Sequence, residues 1–136
     1  MTQNKLDISQ ATEALKGTRF VEALSLLELN LEKDSNHIDS LYLAAVCSRY
    51  LKNYDDSKKY IQSLLSQSPD MGRAYQELGH LNRDMGNQEN SIAHYRQACE
   101  LNPALLASWK ALYDYFRISK NKPAADHAYM QINTLQ

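Results

Sequence analysis

A few side chains near the middle of the chain have the spacing that metal binding or acid–base chemistry requires. His80 and Asp84 are four residues apart, so on a helix both would lie on one face. The sequence has a repeat interval of about 34 residues, and Asp114 follows His80 by one such interval. Such groups form an active site only when they converge in a concave pocket, and on an open surface they form a solvated charge cluster. We therefore predict no catalytic residue, no metal site and no cofactor.

The two cysteines, Cys47 and Cys99, are too few to form a metal cage. Cys47 precedes Leu81 by one repeat interval, and Cys99 follows Leu65 by one. Equivalence to leucine predicts small buried hydrophobic side chains. No basic residue is placed to lower the pKa of either thiol, so a redox role is not expected.

Three arginines have a regular spacing that a binding surface could use. Arg49, Arg83 and Arg117 follow one another at the repeat interval, and Leu15 stands at the preceding equivalent position. The planar guanidinium group suits bidentate recognition of carboxylates. These three arginines, here called the arginine ladder, are predicted to bind an extended acidic peptide. The alternative is a solvated face on which Arg83 and Arg117 pair with Asp114, and such exposed pairs need no ligand.

The repeat interval organises the whole chain. Leu41, Tyr75 and Trp109 are equivalent, and Pro69 is equivalent to Pro103. A small residue stands at four equivalent positions and a large one four residues later. The small set is Ala23, Ser57, Ser91 and Ala125, and the large set is Leu27, Ile61, Tyr95 and Tyr129. These columns predict one domain over residues 1–136, with repeats at 4–37, 38–71, 72–105 and 106–136.

Each repeat is predicted to form two helices. In the third repeat, Gly86 and Asn87 are a natural helix stop between two helical patterns. Gly79 faces Ser91 in this scheme, and two small residues let the helix backbones approach closely. Tyr113 replaces the small residue in the last repeat, which predicts a helix pair that opens or shifts. Asn30 stands in a column of apolar residues, which predicts a frayed or solvated first repeat.

These residues resemble the tetratricopeptide repeat, whose signature runs W-x2-L-G-x2-Y, A-x3-F and P. The third repeat supplies Tyr75, Leu78, Gly79, Ser91 and Tyr95 at matching positions, with Pro103 at its end. The resemblance implies an all-α fold, a right-handed superhelical α-solenoid of about four helix-turn-helix units. It also implies a protein-interaction module that binds a peptide or protein segment, with the first helices lining the concave groove. The groove residues expected on this basis are Tyr42, Arg49, Arg73, Gln76, His80, Arg83, Lys110, Asp114 and Arg117.

Composition excludes several other classes. The net charge of −1 over 136 residues gives no field that would draw the chain to nucleic acid or to an anionic membrane. The first residues lack the basic-then-apolar pattern of a signal peptide, and no apolar run is long enough to cross a bilayer. We expect a cytoplasmic protein whose partner is an acidic protein or peptide.

Two alternatives remain open from the sequence. The stretch around residues 77–112 is also similar to the tetratricopeptide segments that precede a sulfotransferase domain in some bacterial proteins, which would make the chain an accessory segment of a larger enzyme. Self-association through the terminal helices is the second alternative, with Tyr129, Ile132 and Leu135 as the contact face.

Overall fold

A computed structural model describes residues 6–136, and these residues form eight α-helices and no strand. The helices pair in chain order, so each predicted repeat contributes two. Their bounds are α1 Ser9–Lys16, α2 Phe20–Lys33, α3 Ile38–Tyr50, α4 Tyr54–Gln67, α5 Gly72–Asp84, α6 Gln88–Leu101, α7 Leu106–Ile118 and α8 Lys122–Leu135. The turn predicted at Gly86 and Asn87 lies between α5 and α6.

The chain divides into two compact halves, an amino-terminal half that ends at Pro69 and a carboxy-terminal half, Asp70–Gln136. In the amino-terminal half, small side chains of α1 to α3 pack around Leu27, which is fully buried. In the carboxy-terminal half, Tyr95, Leu112 and Phe116 form the core together with Cys99 and Ala125. Both cysteines are buried, as predicted, and both are free thiols.

The turn inside each repeat ends the first helix in the same way four times. The residue after the helix cap has a left-handed backbone, with φ of 59° at Thr18, 65° at Lys52, 82° at Gly86 and 61° at Lys120. The next residue donates its N–H to the carbonyl oxygen five residues earlier, for example Asn87 to Asn82 at 2.8 Å. This pair of features is the Schellman motif, which satisfies carbonyl groups that the helix end leaves without partners.

Close packing of α5 against α6 follows from Gly79, as predicted. A Cβ atom added to Gly79 would come within 2.6 Å of the Tyr95 ring, so any larger residue would displace that ring. The Ser91 hydroxyl also donates to the Gly79 carbonyl oxygen at 2.8 Å. Ser57 makes the same bond to Ala45 in the second repeat. The small column therefore provides hydrogen bonds between paired helices as well as space.

The last repeat departs from this arrangement. Tyr113 stands where Gly79 does, and Ala125 replaces the serine, so the hydroxyl bond is lost. The Tyr113 and Tyr129 rings meet with their centroids 5.8 Å apart, and Tyr129 is half-exposed. Tyr95, the equivalent of Tyr129, is fully buried. Bulk at Tyr113 thus leaves the ring of the second helix outside the core.

Asn30, predicted to leave the first repeat frayed or solvated, has a partly exposed side chain that is nevertheless held by hydrogen bonds. The Asn30 amide is half-buried and donates to the backbone carbonyl oxygen of Asp7 at 3.1 Å and to the Ser40 hydroxyl at 3.2 Å. The polar side chain therefore ties the segment before α1 to α2 and α3.

Candidate partner-binding surface

The three arginines of the predicted ladder share one structural position, the last turn of a first helix. Arg49, Arg83 and Arg117 lie at the carboxyl ends of α3, α5 and α7. The backbone carbonyl oxygen of each accepts the N–H of the left-handed turn residue three positions later. A positive side chain is favourable at this end of a helix because the macrodipole is negative there. The regular arginine column therefore has a structural cause that needs no ligand.

The environments of these arginines differ. Arg49 is only 6% exposed, and its guanidinium lies 4.6 Å from the ring centroid of Tyr50. The side chains of Arg83 and Arg117 are 53% and 58% exposed. Of the three arginines in the predicted ladder, Arg49 therefore offers a partner little surface.

At the end of α3 the aromatic side chains form a stack. The Tyr50 ring lies flat against Phe20, with centroids 4.6 Å apart and an interplanar angle of 4°. Tyr50 keeps about half of its surface exposed, while Tyr42, one of the predicted groove residues, is half-buried. Arg49, Tyr50 and Phe20 therefore form a cation–aromatic stack on the amino-terminal half.

Arg83 belongs to a polar cluster that sequence reasoning saw only in part. Its Nε and Nη2 atoms donate to Asp84 Oδ1, both at 3.1 Å. Its Nη1 donates to the Tyr95 hydroxyl at 3.4 Å, and that hydroxyl is 2.6 Å from His80 Nδ1. The structure therefore brings together the predicted residues His80 and Arg83, and adds Tyr95 from the second helix. The predicted pairing of Arg83 with Asp114 is wrong, because Arg83 pairs with Asp84.

Arg117 and Asp114 pair as predicted, at 3.8 Å on the surface of α7. The Arg117 guanidinium also lies 5.9 Å from the Tyr113 ring centroid. Lys110, which lies one turn before Asp114 on α7, is exposed. Since exposed ion pairs contribute about 0–1 kcal/mol, these contacts leave Arg117 able to exchange partners.

Gln76, predicted only as a groove residue, makes hydrogen bonds that connect two helices. Its Oε1 accepts hydrogen bonds from the backbone N–H and the hydroxyl of Ser108, at 3.1 and 2.8 Å. This contact fixes the start of α7 against α5. Arg73, another predicted groove residue, lies in the first turn of α5 and is exposed.

The carboxy-terminal half has a cleft of about 340 Å³ whose lining includes two of the predicted groove residues. Arg83 and Asp114 both line it, together with the apolar side chains of Ala111, Tyr115 and Ile118. Ile118 is 73% exposed. Groups of opposite charge thus stand around an apolar surface, in a volume at the lower end of the range of about 300–1,000 Å³ for ligand pockets.

Two titratable groups in this half are perturbed by burial. Burial raises the pKa of the Cys99 thiol to about 12, which keeps it protonated and unreactive near neutral pH. Burial lowers the pKa of His94, whose Nδ1 is buried and finds no hydrogen-bond partner among the described residues. Neither group has the environment of a catalytic nucleophile or base.

Within residues 6–136 no group of three or more histidine, cysteine, aspartate or glutamate side chains could hold a metal ion. None of the helices in this part of the chain is long and apolar enough to cross a membrane.

Comparison with known families identifies the repeat. The tetratricopeptide-repeat model matches residues 72–105, the same bounds that the repeat interval gives for the third repeat. The coatomer epsilon subunit model matches residues 1–78, more than half of the chain. The chain belongs to the tetratricopeptide-repeat family and, over residues 1–78, to the coatomer epsilon subunit family. No curated protein matches it.

Solved structures share the fold of this tetratricopeptide-repeat protein. MamA from Desulfovibrio magneticus RS-1 is similar with a TM-score of 0.75 and 16% identity, over 94% of this chain and 72% of the other. Part of a repeat-containing protein from Cytophaga hutchinsonii has a TM-score of 0.69 and 20% identity, over 93% and 50%. A complex described as Naa15/Naa10 bound to HypK-THB has a TM-score of 0.79 and 14% identity, over 95% of this chain and 19% of the other. These likenesses establish the all-α solenoid fold class, as predicted.

Proposed function

We propose that this tetratricopeptide-repeat protein is a non-catalytic interaction module that binds a protein segment on the surface of its first helices. The observation that carries the proposal is the cleft that Arg83, Asp114 and Ile118 of the first helices line together with residues of α6. It combines an apolar surface with charged side chains that a peptide could engage. The membership in the repeat family supports the same role.

The arginines favour an acidic partner, although each is already paired. A guanidinium group has five N–H donors, and Arg83 uses two of them on Asp84 Oδ1. Its Nη1 atom makes longer contacts of 3.4 Å with His80 and Tyr95, which a carboxylate could replace. Because a ligand must compete with Asp84 and with the Asp114–Arg117 pair, we expect modest affinity and strong salt dependence.

Peptide titration tests this proposal. A capped peptide of alternating glutamate and leucine is compared with its lysine counterpart by calorimetry, at low and high salt. We expect saturable binding of the acidic peptide that weakens as salt rises. Equal binding of both peptides, or binding that ignores salt, would contradict an acidic partner.

Assembly with other protein chains, including a second copy, is the second candidate function. The coatomer epsilon match is to a family named for a subunit, and the Naa15/Naa10 structure is a complex. On α8, Tyr129, Met130 and Leu135 are exposed, whereas Ile132 is buried, so the predicted contact face is wrong at Ile132. Light scattering over a concentration series tests self-association, and a strict monomer throughout would exclude it.

Two further proposals rest on the sequence argument alone. An accessory segment of a larger enzyme, such as a bacterial sulfotransferase, is tested by the length of the natural reading frame, and a frame that stops at Gln136 would exclude it. A cytoplasmic location is tested by fractionation of cells that express the protein, where recovery with membranes would contradict it.

A further inference from the structure

His80 on α5 lies in the polar cluster that holds Arg83. Of the arginine ladder, Arg83 is the member that lines the cleft proposed above as a binding surface. Its Nη1 atom is 3.4 Å from His80 Nδ1 and donates to the Tyr95 hydroxyl at 3.4 Å. That hydroxyl is 2.6 Å from the same Nδ1 atom. His80 Nδ1 therefore meets two polar groups, and one of them carries a positive charge.

These contacts indicate which protonation state of His80 the structure suits. A guanidinium group has donors and no acceptor, so the Tyr95 oxygen accepts from Arg83. The Tyr95 hydroxyl can then donate to His80 Nδ1. A proton on Nδ1 would instead set two donors, one from His80 and one from Arg83, against each other at 3.4 Å. The cluster as it stands therefore suits a neutral His80.

The charged and titratable groups around His80 in the carboxy-terminal half come from three helices. They are Glu77, Arg83 and Asp84 of α5, Tyr95 of α6, and Asp114 of α7, which lines the same cleft as Arg83. Asp84 accepts two hydrogen bonds from Arg83, both at 3.1 Å. Glu77 is buried and does not line the cleft, so a segment bound there would leave it unchanged. The Arg83 guanidinium is the positive group beside His80 Nδ1, and it opposes protonation there because like charges repel.

A partner's carboxylate would change this balance. It would engage the Nη1 atom of Arg83, which withdraws the donor from His80 Nδ1, and its negative charge would offset that of the guanidinium. Any displacement of Asp84 from Arg83 would act in the same direction, because it leaves a negative carboxylate one helical turn from His80. Each of these changes favours a proton on His80.

On the basis of the function proposed above, we propose that binding of an acidic segment at this cleft is coupled to uptake of a proton from solvent by His80. Coupling between two ligands of one protein is reciprocal, so the proton must also favour the segment. The bound state holds more protons than the unbound state, and the dissociation constant therefore falls as the pH falls. Acid strengthens this binding surface.

The sequence places a histidine at this position in the third repeat alone. Thr12, Val46 and Asp114 stand at the equivalent positions of the other repeats. Histidine is the side chain whose ordinary pKa lies between pH 5 and 8, so these three residues do not provide the same coupling. The pH dependence therefore acts through Arg83 and not through the arginines of the second and fourth repeats.

Calorimetry measures both the affinity and the proton uptake. The capped glutamate–leucine peptide is titrated into the protein between about pH 8 and 5.5, in pairs of buffers with different ionisation enthalpies. The peptide carboxylates stay largely charged over this range, because the usual pKa of glutamate is about 4.3. We expect the dissociation constant to fall about fivefold from the highest to the lowest pH, with net uptake of protons on binding. Circular dichroism at each pH verifies that the protein is folded.

Two variants assign the effect to one histidine. His80→Asn keeps a polar side chain beside Tyr95 that cannot take up a proton, so its affinity for the peptide should no longer rise as the pH falls. His127→Asn changes an exposed histidine that does not line this cleft, and it should keep the pH dependence of the wild type.

Nuclear magnetic resonance provides a readout that needs no peptide. The ring proton signals of His80, assigned by their absence from spectra of His80→Asn or His80→Gln, are followed against pH in the wild type and in Arg83→Gln. Removal of the guanidinium should raise the pH at which half of His80 is protonated. Equal midpoints in the two proteins would overturn the coupling.

The outcomes separate this proposal from the function on which it rests. No binding of the peptide at any pH would overturn the proposed function and the coupling together. A dissociation constant that does not change with pH, or that changes equally in His80→Asn, would overturn the coupling and leave the binding function standing.

Discussion

At the scale of single residues, Gly79 decides how closely α5 and α6 pack. In Gly79→Ala, the new Cβ would clash with the Tyr95 ring, which is fully buried and bonded to His80. Overpacking of this kind costs about 1–3 kcal/mol, more than the gain of about 1 kcal/mol in helix propensity. We expect a lower free energy of unfolding in urea. The double variant Gly79→Ala/Tyr95→Leu should recover part of the loss, and a Gly79→Ala protein more stable than the wild type would contradict the packing.

His94 predicts a dependence of stability on pH. Burial lowers its pKa in the folded state, so the unfolded chain takes up the proton more readily. The contribution of His94 to the free energy of unfolding is fully present above about pH 6.5, the usual pKa of histidine. This contribution is lost as the pH falls through the pKa of the folded state. His94→Phe should therefore flatten the decline in urea stability as the pH falls below about 6.5. His127→Phe, at an exposed position, is the control, and an unchanged decline in His94→Phe would refute this prediction.

Sequence reasoning predicted positions at this scale better than interactions. It placed Ser91 opposite Gly79 as a small residue, but its hydroxyl bond depends on the direction of one carbonyl group, which no column of residue types reveals. It placed Arg83 on the binding face, but it missed the bond to Asp84. Adjacent residues on a helix rarely face each other, and this pair meets because it ends the helix.

At the scale of elements, the repeated left-handed turns set where every first helix ends. Glycine occupies only one of the four positions, Gly86, so the motif was visible in the sequence at that turn alone. The helix pairs themselves could be predicted because the columns of small and large residues persist through all four repeats. The equivalence of Thr18, Lys52 and Lys120 to Gly86 appears only in the backbone angles.

These turns predict opposite effects of glycine and alanine. Lys52→Gly and Lys120→Gly should each raise the free energy of unfolding by up to about 1 kcal/mol, because they relieve the cost of a side chain at positive φ. Gly86→Ala should lower it by about 1 kcal/mol for the same reason. Chemical denaturation measures all three. Lys58→Gly, at an exposed position inside α4, is the control and should be destabilised. Equal changes in the free energy of unfolding for Lys52→Gly and Lys58→Gly would contradict this prediction.

At the scale of the whole molecule, the surface carries less free positive charge than the arginine column suggested. Arg49 is buried, Arg83 pairs with Asp84, and Arg117 pairs with Asp114. The family and the helix pairs follow from the repeat interval because it fixes local packing. The Asp114–Arg117 pair could be predicted because the two residues are three apart on one helix. The burial of Arg49 depends on side chains that the fold brings around it, so the sequence could not assign it.

The protein-binding proposal is tested most directly by reversing the charge at Arg83 and Arg117, the two exposed arginines of the column. Affinity for the glutamate–leucine peptide is compared in the wild type, in Arg83→Glu/Arg117→Glu, and in Arg19→Glu. Arg19 is an exposed arginine outside the column that pairs with Glu22 at 3.2 Å, which makes it a matched control. We expect a dissociation constant at least tenfold higher in the double variant, about 1.4 kcal/mol, and little change in the control. Equal affinity in all three proteins would contradict binding at this surface.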